Sequence, residues 1–182
     1  MNILVCIKQV PDTTEIKIDP VKNTLIRDGV PSIVNPFDTY ALESAARIKD
    51  NNPDAKIVVV TMGPPQAEKA LRECLAIAAD KAYLVTDRAF GGSDTLATSY
   101  VLRKTVEKLE TLEGKFDAIF CGKQAIDGDT GQVGPELAEW LDIPQVTNCW
   151  EVEVAGDSFK AKKQTDDGFE IIGVKMPCLI TY

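Results

Sequence analysis

The sequence predicts an α/β fold: a parallel sheet, a β-hairpin insertion near the start and a C-terminal set of antiparallel strands. Three observations carry that reading. Short apolar runs at residues 3–7, 56–61, 82–86 and 116–120 suit strands covered on both faces. Segments of helical period separate them, each opened by a turn or cap signal. After Pro144 the period falls to two, with Val146, Trp150, Val152 and Val154 at even positions.

In chain order, residues 3–7 form the first strand, and Lys8 to Asp12 leave the sheet. Residues 15–19 and 24–27 flank Pro20-Val21-Lys22-Asn23 and read as a hairpin over the top of the fold. Asn35-Pro36-Phe37-Asp38 opens a helix, with Asn35 as N-cap, Pro36 at the first position and the Asp38 carboxylate complementing the dipole. That helix is expected to bury Phe37, Ala41, Ala45 and Ile48 and to end before Asn52-Pro53. Residues 56–61 give the second strand, and Met62-Gly63-Pro64-Pro65 turns into a helix carrying Ala67, Leu71, Cys74, Leu75 and Ala78 inward. The strand at 82–86 leads through Arg88 and Gly91-Gly92 to a helix capped by Ser93 or Asp94 and running to about residue 110. Bare amides at that start suit an anion, with Arg88 as a further partner; a turn with a solvated Arg88 is the plainer reading. Beyond Pro144, residues 146–154, 159–164 and 169–174 form an up-and-down set, and residues 178–182 a last apolar strand.

Composition narrows the function. One domain over residues 1–182 accommodates the length. With 20 Lys and Arg against 28 Asp and Glu, the net charge of −8 repels nucleic acid and anionic membranes. No apolar run reaches membrane-spanning length and the start lacks signal-peptide features, so a cytoplasmic protein without membrane insertion is expected. The five cysteines form no C-x-x-C pair and read as buried, reduced thiols; no metal site is expected. Histidine is absent, which removes the usual general base and every Ser-His or Cys-His mechanism. No catalytic residue is assigned, and a bound cofactor is the economical carrier of chemistry.

The chain is organised around the stretch from Cys121 to Glu136, between the strand at 116–120 and a helix with Val133, Leu137, Trp140 and Leu141 on one side. Its glycines let a ligand approach the main chain closely, and Pro135 fits the first helical turn, with Thr130 or Gly131 as cap. Amides at that helix start suit a phosphate; an ordinary turn-rich loop is the alternative. The loops after Cys6, Thr61, Thr86 and Cys121 would share one sheet edge, where ligands of parallel α/β sheets bind.

Gly122-Lys123-Gln124-Ala125-Ile126-Asp127, followed by Asp129, Gln132 and Gly134, resembles the adenine-nucleotide loop of electron-transfer flavoprotein beta subunits. Val5-Cys6-Ile7-Lys8-Gln9-Val10-Pro11-Asp12, Asn35-Pro36-Phe37-Asp38 and Met62-Gly63-Pro64 match the same family, so the resemblance runs along essentially the whole chain. It implies a Rossmann-like adenine-nucleotide-binding sheet. By motif match the nucleotide contacts include Cys6, Asn35, Pro36, Phe37, Asp38, Met62 and the run Gly122-Lys123-Gln124-Ala125-Ile126-Asp127-Gly128-Asp129-Thr130-Gly131-Gln132-Val133, with Gly91 and Gly92 beside them.

The resemblance further implies an electron carrier rather than an enzyme, paired with an alpha subunit and serving an acyl-CoA or other flavin dehydrogenase. The cofactor of this subunit is AMP in ordinary members and a second FAD, exchanging electrons with NADH, in electron-bifurcating ones. The stretches from Asp87 to Ser99 and from Asp127 to Thr130 resemble the bifurcating, anaerobic kind, which favours FAD. Family members continue past residue 182 into a segment that embraces the alpha subunit. The chain is therefore expected to be truncated at its C-terminus relative to the family and to bind an alpha subunit poorly by itself. The alternatives are a stand-alone adenine-nucleotide-binding regulatory domain of the stress-protein kind, and a structural domain that only assembles with a partner.

Overall fold

The central strand β1 (Asn2–Cys6) has parallel neighbours on both sides, β4 (Lys56–Met62) and β6 (Ala118–Cys121). This computed structural model describes residues 1–12 and 31–182, and the hairpin expected over residues 15–27 lies outside the described residues. Outward from β4 lies β5 (Lys81–Val85); outward from β6 lie β11 (Cys178–Thr181) and then β7 (Gln145–Val146). All five pairings in this six-stranded sheet are parallel. Ile3, Leu4 and Val5 are fully buried, as a strand covered on both faces requires.

Helices cover both faces. α1 (Pro36–Asn51) and α2 (Glu68–Ile77) contribute Ala41, Leu42, Ala45, Ala70, Leu71 and Cys74 to one apolar layer. α3 (Thr95–Glu113) and α4 (Val133–Leu141) contribute Leu102, Val106, Leu109, Leu137 and Ala138 to the other. The chain leaves β1 toward β4 and β5, then crosses back to β6 on the other side of β1. The strand order therefore reverses between β1 and β6, and the crevice beyond their carboxyl ends is the expected ligand position. β2 (Gln9–Pro11) and β3 (Ser32–Val34) pair antiparallel just beyond that edge.

The antiparallel set is β8 (Cys149–Ala155), β9 (Ser158–Thr165) and β10 (Gly168–Lys175). It is fastened to the main sheet by an aromatic contact: Phe120 of β6 meets Phe159 of β9 edge-on at 6.0 Å between ring centroids, and Tyr182, just past β11, packs on the same Phe120 ring at 5.3 Å. Both phenylalanines are fully buried, and each such burial stabilises by roughly 1.5–3 kcal/mol.

Several local expectations are corrected. Phe37 is only half-buried and Leu75 is 43% exposed, while the charged Asp38 lies inside α1's buried face. Trp140 is on the surface, where its Nε1 donates to Ser99 Oγ and the Arg103 guanidinium lies over its ring. Asn35 occupies the N-cap of α1 but makes no capping hydrogen bond. α4 is preceded by Gln132 rather than Thr130 or Gly131, and Pro135 sits at its third position. Asp94 does cap α3, accepting from the Ala97 N–H at 2.8 Å.

Gly122 is where β6 passes closest to α1. A Cβ there would lie 2.2 Å from Asp38 Oδ1 and 2.8 Å from both the Asp38 nitrogen and the Phe37 carbonyl carbon. Gly122→Ala must push the start of α1 away, so it is expected to lower unfolding free energy by about 1–3 kcal/mol. Gly128, with open space at its Cβ position, should tolerate alanine within about 0.5 kcal/mol. Urea unfolding of the two variants checks the contrast; equal losses would contradict the packing account.

Candidate functional site

The carboxyl ends of β1 and β6, the start of α1 and the loop from Gly122 to Gln132 meet at the strand-order reversal. Asp38 draws them together. Its carboxylate accepts the Lys8 N–H at 2.6 Å and the Gly122 N–H at 3.2 Å, joining the segment after β1 to the segment after β6. Asn35, fully buried, does the same for the loop itself: its Nδ2 donates to the Gln124 carbonyl at 2.8 Å and its Oδ1 accepts the Ile126 N–H at 3.1 Å. The backbone N–H of Asn35 also donates to the Lys8 carbonyl. Asn35 and Asp38, expected as local helix-capping residues, are instead long-range braces.

The loop has further internal ties. Lys8 Nζ pairs with Asp127 Oδ1 at 2.6 Å, and Gln124 Nε2 donates to Asp129 Oδ1 at 2.9 Å. Gly128 and Asp129 both donate their N–H groups to the Ala125 carbonyl. Lys123 N–H donates to the Tyr182 carbonyl, and Tyr182 N–H returns to the Cys121 carbonyl. Asp129 and Gly131 take positive φ, 52° and 63°, and turn the chain into α4. Past that turn, the N–H groups of Thr130, Gly131 and Gln132 meet no acceptor among the described residues. With the first turn of α4 they present bare donors at the positive end of a helix dipole.

The second glycine loop is brought beside the first. Thr95, opening α3, places Oγ1 3.2 Å from Gln132 Oε1 and 3.0 Å from Glu136 Oε1, so α3 and α4 start side by side. Gly91 and Gly92 are exposed just before α3, and Arg88 is exposed as well. Cys6 and Met62, half-buried at the ends of β1 and β4, pack against the same apolar layer below. A separate groove of about 1050 Å³ lies between α1 and β8, with Phe37 and Lys123 on its wall. Those two expected contacts therefore line this groove.

Two functional groups escaped the sequence reading. Lys8 lies within a quoted motif, yet its pairing with Asp127, 119 residues on, leaves no local trace. Tyr182 braces Lys123 through main-chain atoms, which no residue type reveals.

Burial pushes the Asp38 carboxyl up to about 7, against the opposing pull of Asn35, the Lys8 and Gly122 N–H groups and the Lys8 ammonium. The native state therefore holds a proton that the unfolded chain releases near 3.8. This contribution to stability is fully present below the unfolded value and is lost as pH rises through about 7. Wild type is expected to lose stability relative to Asp38→Asn between about pH 4 and 7, by up to a few kcal/mol. Urea unfolding of both proteins across that range is the check, and a constant difference would contradict the assignment.

The electron transfer flavoprotein domain matches residues 22–182. Over its whole length the chain is 59% identical to the electron transfer flavoprotein subunit beta of Clostridium acetobutylicum and 54% identical to that of Megasphaera elsdenii. It is 53% identical to the CarD subunit of the caffeyl-CoA reductase-Etf complex of Acetobacterium woodii, and it spans 68% of each of these three relatives. No described helix is long and apolar enough to cross a membrane. By domain match and by identity along its whole length, the chain belongs to the electron transfer flavoprotein family and is similar throughout to its beta subunits.

Proposed function

We propose that this chain is a single nucleotide-binding unit that holds an adenine nucleotide in the crevice between β1 and β6. Paired with an alpha subunit, it takes part in electron transfer between NADH or flavin dehydrogenases and their acceptors. The observation that carries the reading is the division of labour in the loop after β6. Some amides are tied down by Asn35, Asp38, Ala125 and Tyr182, whereas those of Thr130, Gly131 and Gln132 remain unpaired among the described residues. Three fixed donors at a helix start fit a phosphate, and each amide contact to an anion contributes on the order of 1.5–3 kcal/mol.

FAD is the favoured occupant, with AMP the alternative, because the stretches from Asp87 to Ser99 and from Asp127 to Thr130 resemble the bifurcating kind, and Thr95 brings the first of them beside Gln132. When bound, the flavin supplies the redox chemistry; this chain's residues bind and orient its adenine-nucleotide portion. Acid release and quantification of nucleotides from the assembled heterodimer tests the choice. Two FAD per heterodimer, with NADH oxidation, is expected; one FAD and one AMP would overturn the bifurcating reading alone.

The phosphate grip is tested by substitution. Lys123 is exposed and its charge is screened by solvent and salt, so Lys123→Ala should weaken nucleotide binding less than about fivefold. Gly131→Val should weaken it more than about tenfold, since a β-branched residue resists the 63° φ that aims the neighbouring amides. Asn tolerates that conformation, so Gly131→Asn should fall between them. Calorimetry on the heterodimer, with circular dichroism to verify folding, reads the order. A larger effect at Lys123 would mean that side-chain charge holds the phosphates.

A further inference from the structure

Cys6 ends β1 and Cys121 ends β6, and the two are direct register partners across the β1–β6 pairing. Paired residues of neighbouring parallel strands project from the same face of a sheet. Here it is the face covered by α3 and α4, where both cysteines pack with the same apolar layer. Strands lie about 4.8 Å apart, within the roughly 4.4–6.8 Å between Cα atoms that a disulfide spans. The hydrogen bond with Cys6, followed by burial, pushes the Cys121 thiol well above its usual range. The other three cysteines lie on α2, β8 and β11 and are all buried, whereas Cys6 is partly exposed.

The backbone immediately after the pair is held in place. Asp38 takes the N–H groups of Lys8 and Gly122, two residues after Cys6 and one after Cys121, so the two strand ends are kept side by side. We propose that Cys6 and Cys121 form a reversible dithiol–disulfide site at the floor of the crevice, oxidised by low-molecular-weight disulfides. Exposure makes Cys6 the entry point. Its thiolate attacks one sulfur of the oxidant, forming a mixed disulfide on Cys6 and expelling one thiolate. Cys121, once deprotonated, attacks Cys6 Sγ, forming the intramolecular bond and expelling the second thiolate. Two electrons pass from the cysteine pair to the oxidant, and the two thiol protons end on the two thiols released.

In the mixed disulfide Cys6 no longer offers Cys121 a thiol hydrogen bond, but burial still disfavours the Cys121 thiolate, so the second step is the slow one and the thiolate fraction grows about tenfold per pH unit below its pKa.

The test exposes the native full chain to glutathione disulfide, quenches with acid, and maps the products by intact mass and non-reduced peptide analysis. The expected product has lost two hydrogens, links the Cys6 peptide to the Cys121 peptide and is reversed by dithiothreitol. Cys74→Ser should behave as wild type, and Cys121→Ser should stop at a glutathione adduct on Cys6. In wild type the adduct should convert to the closed form about tenfold faster for each added pH unit. An adduct on Cys6 that never closes, a link involving Cys74, Cys149 or Cys178, or no reaction in folded protein that reacts once unfolded in urea would each overturn the proposal. Nucleotide binding measured separately on reduced protein distinguishes such a failure from failure of the nucleotide reading.

Discussion

The crevice depends on one buried carboxylate. Asp38, 6% exposed, lies where three segments converge and offers the acceptors needed by two backbone amides that have left their strands. An unpaired buried amide costs about 1–3 kcal/mol, so the carboxylate offsets two such penalties at once. Two further features follow from its position. β6 must pass so close that only glycine fits at residue 122, and α1 must begin at Pro36 so that its first turn carries the carboxylate inward. The cost is a carboxyl whose charged form is disfavoured by burial, which is why it keeps its proton to unusually high pH.

From that anchor the loop after β6 acquires its shape. Asn35, three residues before Asp38 and likewise buried, uses both ends of its amide on Gln124 and Ile126, so the loop is fixed along its first half. The second half is turned by Asp129 and Gly131 in the left-handed region and delivered to α4. α4 in turn must pack tightly at its start, since a Cβ on Gly134 would lie 2.7 Å from Thr181 Cγ2 on β11. Rigidity is thus transmitted from the sheet through two polar side chains to the donors, which meets the requirement that a binding constellation be held before its ligand arrives.

The sheet was legible because burial on both faces leaves an unmistakable sequence mark: uninterrupted apolar runs at β1, β4 and β6, separated by helical periods. The antiparallel set was legible from its change of period. The site was legible as a collection of loops on one edge, but its wiring was not. Asn and Asp at a helix start satisfy local capping rules so well that nothing in the sequence separates a cap from a long-range brace. Only the fold brings Gly122, 84 residues from Asp38, within reach of that carboxylate. Leu75 and Trp140 show the same limit for apolar residues: helical spacing assigns a face, while the angle at which the helix meets the sheet decides which edge of that face stays wet.

An acidic chain proposed to hold an anionic ligand poses an electrostatic problem, and the loop answers it internally. Asp127 is matched by the Lys8 ammonium and Asp129 by the Gln124 amide, so neither carboxylate faces the crevice without a partner group. Glu136 in the first turn of α4 is engaged by the Thr95 hydroxyl, which also aligns α3 beside α4. Side-chain charge near the loop is therefore largely spent on positioning. What remains to meet a phosphate is main-chain: amides that carry no net charge, lose no rotamer freedom on binding and are less weakened by salt than an exposed lysine would be. This arrangement reconciles a net charge of −8 with the proposed phosphate site, because the attraction is short-ranged and directional while the long-range repulsion is screened within about 8–10 Å at ordinary ionic strength.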